Sequence, residues 1–166
     1  MKVFIDGGAY NGDTIKQFLR GDFIKRKDLK EFKIFAFEPM FPELPNMIHK
    51  AISNYDGVAT MNGENSLANS IEKDNIYHEP HQETLVMNFP KWFKRKFQKD
   101  DYIIIKLDIE GSEYDILDTM IEDKTLSWVN ILFCEFHSQC MKDGPKRTRE
   151  IKDKIKKLKV KLVEWK

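Results

Sequence analysis

At 166 residues, with 41% hydrophobic and 33% charged residues, the chain has the size of one soluble globular domain and can bury about two-thirds of its unfolded surface without disulfides. Twelve Phe and three Trp exclude a disordered chain. A formal net charge of +1 excludes recruitment of nucleic acid or an anionic membrane by a global field, so any such interaction must rest on a local patch.

The first element is "KVFID" (residues 2–6), a β-branched and aromatic run closed by Gly7 and Gly8. Behind it "DTIKQFL" places Ile15, Phe18 and Leu19 at helical spacing, with Asp13 or Thr14 as the expected cap. A charged stretch, residues 25–33, precedes "IFAFEP", a second strand ending in Glu38 and Pro39. "NMIHKAIS" and "GVATM" read as a third strand and a short extra one around the turn at Asp56 and Gly57, and the polar residues 62–82 read as loop, with His78 and His81 on its surface. "ETLVMNFPKWFKRKF" predicts a short strand, then a helix turning Phe89, Trp92, Phe93 and Phe97 to the core.

"YIIIKLD" is the most hydrophobic strand, and its helix follows at once: Ser112 and Asp115 form an S-x-x-D capping pattern, and Tyr114, Leu117 and Ile121 share a face. "VNILFCEF" is the next buried strand, a helix carries Ile151, Ile155 and Leu158 on one side, and "VKLVEW" is the last strand. Strands alternating with helices, several apolar on both faces, predict a single α/β domain over residues 1–166, with a mostly parallel sheet covered by helices on both faces.

Sparse cysteine usage, Cys134 and Cys140 in "CEFHSQC", reads as two reduced thiols. The Cys134, His137, Cys140 spacing lacks the second ligand pair of a structural zinc site. No run approaches the ~18 apolar residues of a membrane span, and a strand-like segment follows Met1 directly, so a cytoplasmic protein is expected.

In a parallel α/β sheet, ligands bind beyond the carboxyl ends of the strands. Those ends carry Asp6 with "GGAYNG", Glu38 with Pro39, Ser53 after "HKAI", Asp108 with Glu110, and Glu135 with His137. Gly7, Ala9 and Gly12 approximate G-x-G-x-x-G, with Ala where a pyrophosphate must approach. Asp6 before the turn repels a pyrophosphate but attracts a ligand carrying an ammonium and a sulfonium, such as S-adenosylmethionine, and Glu38 can then accept hydrogen bonds from both ribose hydroxyls.

Taken in order, "FIDGGAYNGDT", "FAFEP", "HKAISNYDG", "IIIKLDIEGSEYDIL" and "LFCEFH" resemble the FkbM family of S-adenosylmethionine-dependent methyltransferases over residues 3–137, and "KLDIEGSE" is the most specific element. The resemblance implies a Rossmann-like class I methyltransferase fold and O-methylation of a sugar, glycan or similar small hydroxylated acceptor. By position it implies that Asp6, Gly8 and Gly12 belong to the cofactor loop, that Glu38 contacts the ribose and that Asp108 faces the methyl group. With their neighbours, the candidate cofactor residues are Asp6, Gly7, Gly8, Ala9, Gly12, Asp13, Glu38, Pro39, Ser53 and Asp108.

Three departures mark a minimal version of the fold: the charged segment before "FAFEP", no helix ahead of the first strand, and one strand fewer than seven. They lead to the expectation that cofactor binding is loose or leans on a partner subunit, as in a homo-oligomer.

Methyl transfer needs positioning and a way to make an alcohol oxygen nucleophilic. Asp108 and Glu110 share a strand face if that strand continues, as do Glu135 and His137 on the next. Two arrangements follow for the catalytic candidates Asp108, Glu110 and His137. Either His137 or Glu110 is the general base, or Asp108, Glu135 and His137 hold a Mg²⁺ or Mn²⁺. Glu113 and Asp115 are assigned to the helix dipole. Residues 146–161 hold nine Lys or Arg, read as a solvated helix face. The rival functions are an RNA methyltransferase using that basic helix and a non-catalytic scaffold of the same fold.

Overall fold

The computed structural model describes residues 1–40, 47–62, 70–71 and 80–166; His78, like the side chain of His81, lies outside the described residues. In chain order the strands are β1 (Lys2–Gly7), β2 (Lys33–Phe37), β3 (Met47–Ile48), β4 (Ala51–Ser53), β5 (Gly57–Asn62), β6 (Pro80–Asn88), β7 (Tyr102–Leu107), β8 (Val129–Cys134) and β9 (Lys161–Glu164). The helices are α1 (Asp13–Arg20), α2 (Phe89–Lys96), α3 (Glu113–Glu122) and α4 (Gly144–Lys156).

Six strands form one parallel sheet in the order β3-β2-β1-β7-β8-β9. The chain runs outward in one direction through β2 and β3, then returns to the other side of β1 with β7, so the strand order reverses between β1 and β7. Crevices for ligands open at such a switch point, beyond the carboxyl ends of the strands. Its register sets Gly7 opposite Leu107, which brings the glycine turn and Asp108 to the same edge. β7 can occupy this central place because Ile103, Ile104, Ile105 and Leu107 are all buried, leaving neither face for water.

Aromatic side chains fill both faces. On one, α2, α3 and α4 pack Phe89, Phe93, Tyr114, Leu117, Ile151 and Ile155 against Val3, Ile5 and Ile105. On the other, Phe4 stacks on Phe18 of α1 with ring centroids 4.1 Å apart, and Phe32 and Phe133 join them. Each such ring contributes about 1.5–3 kcal/mol by leaving water. Phe89, Phe93 and Phe97 are buried as their helical spacing predicts, and Trp92 is partly buried beside them. Among the described residues no helix is long and apolar enough to cross a membrane.

The middle of the chain departs from its sequence pattern. "NMIHKAIS" is not one strand: Met47–Ile48 joins the main sheet, whereas Ala51–Ser53 leaves it for a second sheet in the order β4-β6-β5. The turn at Asp56 and Gly57 therefore does not close a hairpin, because β6 lies between β4 and β5, parallel to the first and antiparallel to the second. β6 begins at Pro80, within the stretch read as loop. Alternation in β6 explains the small sheet, since Thr84 and Val86 are buried while Glu83 and Leu85 are exposed.

Two expected caps are also replaced. Gly12 occupies the α1 cap with φ 77°, and the Asp13 N–H donates to Asn11 Oδ1 at 3.0 Å. Ser112 makes no side-chain cap on α3.

Candidate active site

The site begins where β1 and β7 end. Asp108 N–H donates to the Gly7 carbonyl at 3.1 Å, and the Gly8 and Ala9 N–H groups donate to the Phe37 carbonyl of β2, each at 3.0 Å. Gly8 sits at φ +76°, and a Cβ there would lie 1.8 Å from the Asp108 carbonyl oxygen. Only glycine lets these two backbones meet. Glu38, 7% exposed, fastens the far side: Oε2 accepts from Tyr10 N–H at 2.9 Å and Oε1 from Met40 N–H at 2.8 Å. Each oxygen keeps a further lone pair for a ligand.

These ends surround a cleft of about 410 Å³, within the usual range for small-molecule sites. Of the residues singled out from the sequence, Gly8, Ala9, Asp13, Glu38, Pro39, Asp108, Glu110, Glu135 and His137 line it. Asp6, Gly7, Gly12 and Ser53 do not. Gly7 packs against Ile52 and Leu107, Gly12 caps α1, and Ser53 is buried in β4 opposite Asn88.

Asp6 is fully buried beneath the loop and faces Lys106. Neither of its carboxylate oxygens has a hydrogen-bond partner among the described residues, although Lys106 Nζ approaches Oδ1 to 3.3 Å. Burial pushes its pKa up to about 6, with Lys106 pulling the other way. Lys106 also donates to the Gly8 carbonyl at 2.8 Å and lies 3.1 Å from Asp108 Oδ2, so one buried ammonium joins the first loop to the catalytic candidate. Sequence reasoning missed Lys106. Its signal was a lone lysine inside "IIIKLD".

Asp108 and Glu110 do not share a strand face, because β7 ends at Leu107. Likewise β8 ends at Cys134, before Glu135 and His137. Turns do the work instead. Glu110 adopts φ 53° and Gly111 φ 113°, and Ser70 Oγ donates to the Glu110 carbonyl. Left-handed backbone at a glutamate costs about 1–2 kcal/mol. The result is that His137 Nε2 lies 3.4 Å from Glu110 Oε1, 3.7 Å from Asp108 Oδ1 and 3.8 Å from Glu135 Oε1.

The opposite edge of the ring is held by Glu113, which is fully buried. It accepts from Gly111 N–H at 2.9 Å and His137 N–H at 2.8 Å, and its Oε1 lies 3.2 Å from His137 Nδ1. Glu113 stands in the first turn of α3 with Asp115 as the sequence predicts, but does more than its neighbour, which pairs with Arg147 at 3.0 Å. It anchors both the turn and the imidazole.

The charges of this cluster act on one another. Burial pulls the His137 pKa down, but Glu113, Glu110 and Asp108 outweigh it and hold the imidazole at about 9. Burial pushes Glu110 up to about 7; His137 opposes this and the Asp108, Glu113 and Glu135 carboxylates add to it. Glu135 is raised for the same reasons, burial first and then Asp108. One donor atom each from Asp108, Glu110 and His137 lies within 4.8 Å of the others, the only such grouping among the described residues. Cys134 and Cys140 are buried, form no disulfide and lie outside it.

A parallel sheet with its switch at β1 and β7, a glycine turn against the next strand end, and an acidic residue closing β2 define a Rossmann-like α/β domain of the methyltransferase type. The model of the Methyltransferase FkbM domain matches residues 6–160, most of the chain, and the protein belongs to this family. No curated protein and no solved structure matches it.

Proposed function

We propose that the protein transfers a methyl group from S-adenosylmethionine to a hydroxyl of a sugar or similar small uncharged acceptor. The observation that carries this reading is the meeting, in one cleft, of the glycine turn and Glu38 with the Asp108, Glu110 and His137 cluster.

The donor set fits the cofactor. Residues 7–13 contain no Lys or Arg to neutralise a pyrophosphate, and Asp13 stands in the first turn of α1, where a dinucleotide would need positive charge. Glu38 has lone pairs left for ribose hydroxyls. Bound there, S-adenosylmethionine supplies an electrophilic methyl carbon whose bond to sulfur breaks as the acceptor oxygen bonds to it, the electron pair staying on sulfur. The chain's own residues do the rest. Asp108, tied to Lys106 and to the Gly7 carbonyl, forms the wall between the two halves. A carboxylate of the cluster takes the hydroxyl proton and passes it to water. Glu113 fixes the imidazole as a positioning residue.

Five carboxylates line the cleft, Asp13, Glu38, Asp108, Glu110 and Glu135, and they disfavour a phosphorylated acceptor. The basic C-terminal helix offers RNA little, since Lys152, Lys154, Lys156 and Arg147 are paired with Glu164, Asp118, Asp153 and Asp115. A non-catalytic scaffold gains nothing from a strained Glu110 and a buried charge cluster.

Thermal unfolding with S-adenosylhomocysteine tests the cofactor. At a hundred times the dissociation constant it should stabilise the fold by about 2.7 kcal/mol, or raise Tm by roughly 5–10 °C at this size. A shift with NAD and none with S-adenosylhomocysteine would overturn the assignment. Labelled methyl transfer to a panel of neutral sugars, against RNA, then tests the acceptor.

A further inference from the structure

The spacing around His137 Nε2 is not that of hydrogen bonds. The ring is 4% exposed and its Nδ1 side is occupied by Glu113, so Nε2 is directed into the cluster. There it lies 3.4, 3.7 and 3.8 Å from oxygens of Glu110, Asp108 and Glu135, and it hydrogen-bonds to none of them. Hydrogen bonds between nitrogen and oxygen centre near ~2.9 Å. Donors sharing one cation through bonds of ~2.1 Å stand roughly 3.0 Å apart at octahedral right angles and roughly 3.4 Å apart in a tetrahedron. The separations of His137 Nε2, 3.4 Å from Glu110 and 3.7 Å from Asp108, are wider than a hydrogen bond and close enough for a small inward shift to let all three donors share one ion.

Two further observations point the same way. A carboxylate behind a histidine, fixing its tautomer and orientation, is the usual support of a metal-binding imidazole, and Glu113 is such a carboxylate, fully buried and also holding the His137 main chain. The left-handed backbone at Glu110 brings a second carboxylate to the same point.

We propose that Asp108, Glu110 and His137 bind one divalent cation, Mn²⁺ in preference to Mg²⁺. Oxygen donors outnumber nitrogen and none of the three ligands is a thiol, which suits a hard ion, while the imidazole favours Mn²⁺ over Mg²⁺. This ligand set has Glu110 in the place that the sequence pattern gave to Glu135. All three ligands line the cleft, so the remaining coordination positions open toward the acceptor. A hydroxyl bound there becomes more acidic, and Glu135, outside the ligand set and partly exposed, is the carboxylate positioned to take its proton. That role rests on the methyl-transfer reading; the existence of the site does not.

The test uses the full chain after EDTA treatment, without cofactor, titrated with Mn²⁺ and followed by the electron paramagnetic resonance of the free ion. One saturable ion per chain is expected, displaced by Mg²⁺ only in excess. His137→Gln and Asp108→Asn should each weaken it by about 100-fold or more, and Glu113→Gln by about 10–100-fold. Asp22→Asn, at a surface carboxylate paired with Arg20 and not among the cleft residues, should leave it unchanged. Melting curves in EDTA establish that each variant is folded, and the wild-type stoichiometry stands whatever they show. No saturable site, or an ion held equally well by a folded His137→Gln protein and so adventitious only, overturns the proposal. A shift with S-adenosylhomocysteine but no Mn²⁺ binding removes the metal and leaves methyl transfer; Mn²⁺ binding without that shift does the reverse.

Discussion

Gly8→Ala probes the contact on which the cleft depends. At φ +76° an alanine costs about 1 kcal/mol in backbone energy alone. Its Cβ would sit 1.8 Å from the Asp108 carbonyl oxygen, whereas real Cβ atoms essentially never approach within 3.0 Å, and the obstacle is backbone rather than a side chain that can swing away. Relief requires the β7 end to retreat by more than about 1 Å, and overpacking of that kind costs about 1–3 kcal/mol. Together these lower Tm by roughly 5–15 °C for a chain of this size. Because Asp108 moves with the backbone, turnover should fall about 100-fold beyond any loss of folded protein. Thermal unfolding and single-turnover methyl transfer at a temperature where both proteins are folded separate the two effects. Gly57→Ala serves as the control, since its Cβ would meet only the Tyr55 ring at 3.6 Å, and should change stability by less than about 0.5 kcal/mol. A Gly8→Ala protein that melts with the wild type and turns over normally would refute the claim that the first loop and Asp108 are held in contact.

Two other substitutions test the buried charges. Asp6 has a folded pKa of about 6 against 3.8 for a free aspartate, so the folded state holds a proton that the unfolded state has lost. Stability therefore falls as pH rises through this window, by about 3 kcal/mol in all; urea unfolding should show the wild type losing about that much relative to Asp6→Asn between pH 4 and 7, and a flat or opposite difference would sink the argument. Glu113→Ala leaves the Gly111 and His137 N–H groups buried and unpaired, at about 3–5 kcal/mol, whereas Asp115→Ala, from a half-exposed ion pair, should cost under about 1 kcal/mol. Equal losses in the two would show that Glu113 is only one more helix-dipole residue.

That pair shows where the sequence was legible and where it was not. Hydrophobic periodicity located β1, β2, β7, β8, β9, α1, α2, α3 and α4, because each buries its apolar residues in the same sheet or against it. It failed at "NMIHKAIS", where two strands in different sheets are separated by only His49 and Lys50, too short a gap for any pattern to register. At the site, the strand ends were readable from chain order and acidic residues. The partners were not. Glu113 and Asp115 look alike in sequence, two carboxylates in a first helical turn, and differ only because the turn at Gly111 and the end of β8 close over one of them. Asp6 likewise has the position of a ligand contact in the sequence but lies buried under the loop, facing Lys106.

The contact between Lys106 and Gly8 spans 98 residues of chain, and the Ser70 bond to Glu110 spans 40. The cleft joins parts of the chain far apart in sequence, so the complete pocket requires β7 beside β1. Ligand binding then measures completion of the fold. A fragment that stops before β7 should keep α1 and the glycine turn in its sequence yet show no cofactor affinity, and a ligand added during refolding should slow unfolding more than it speeds folding.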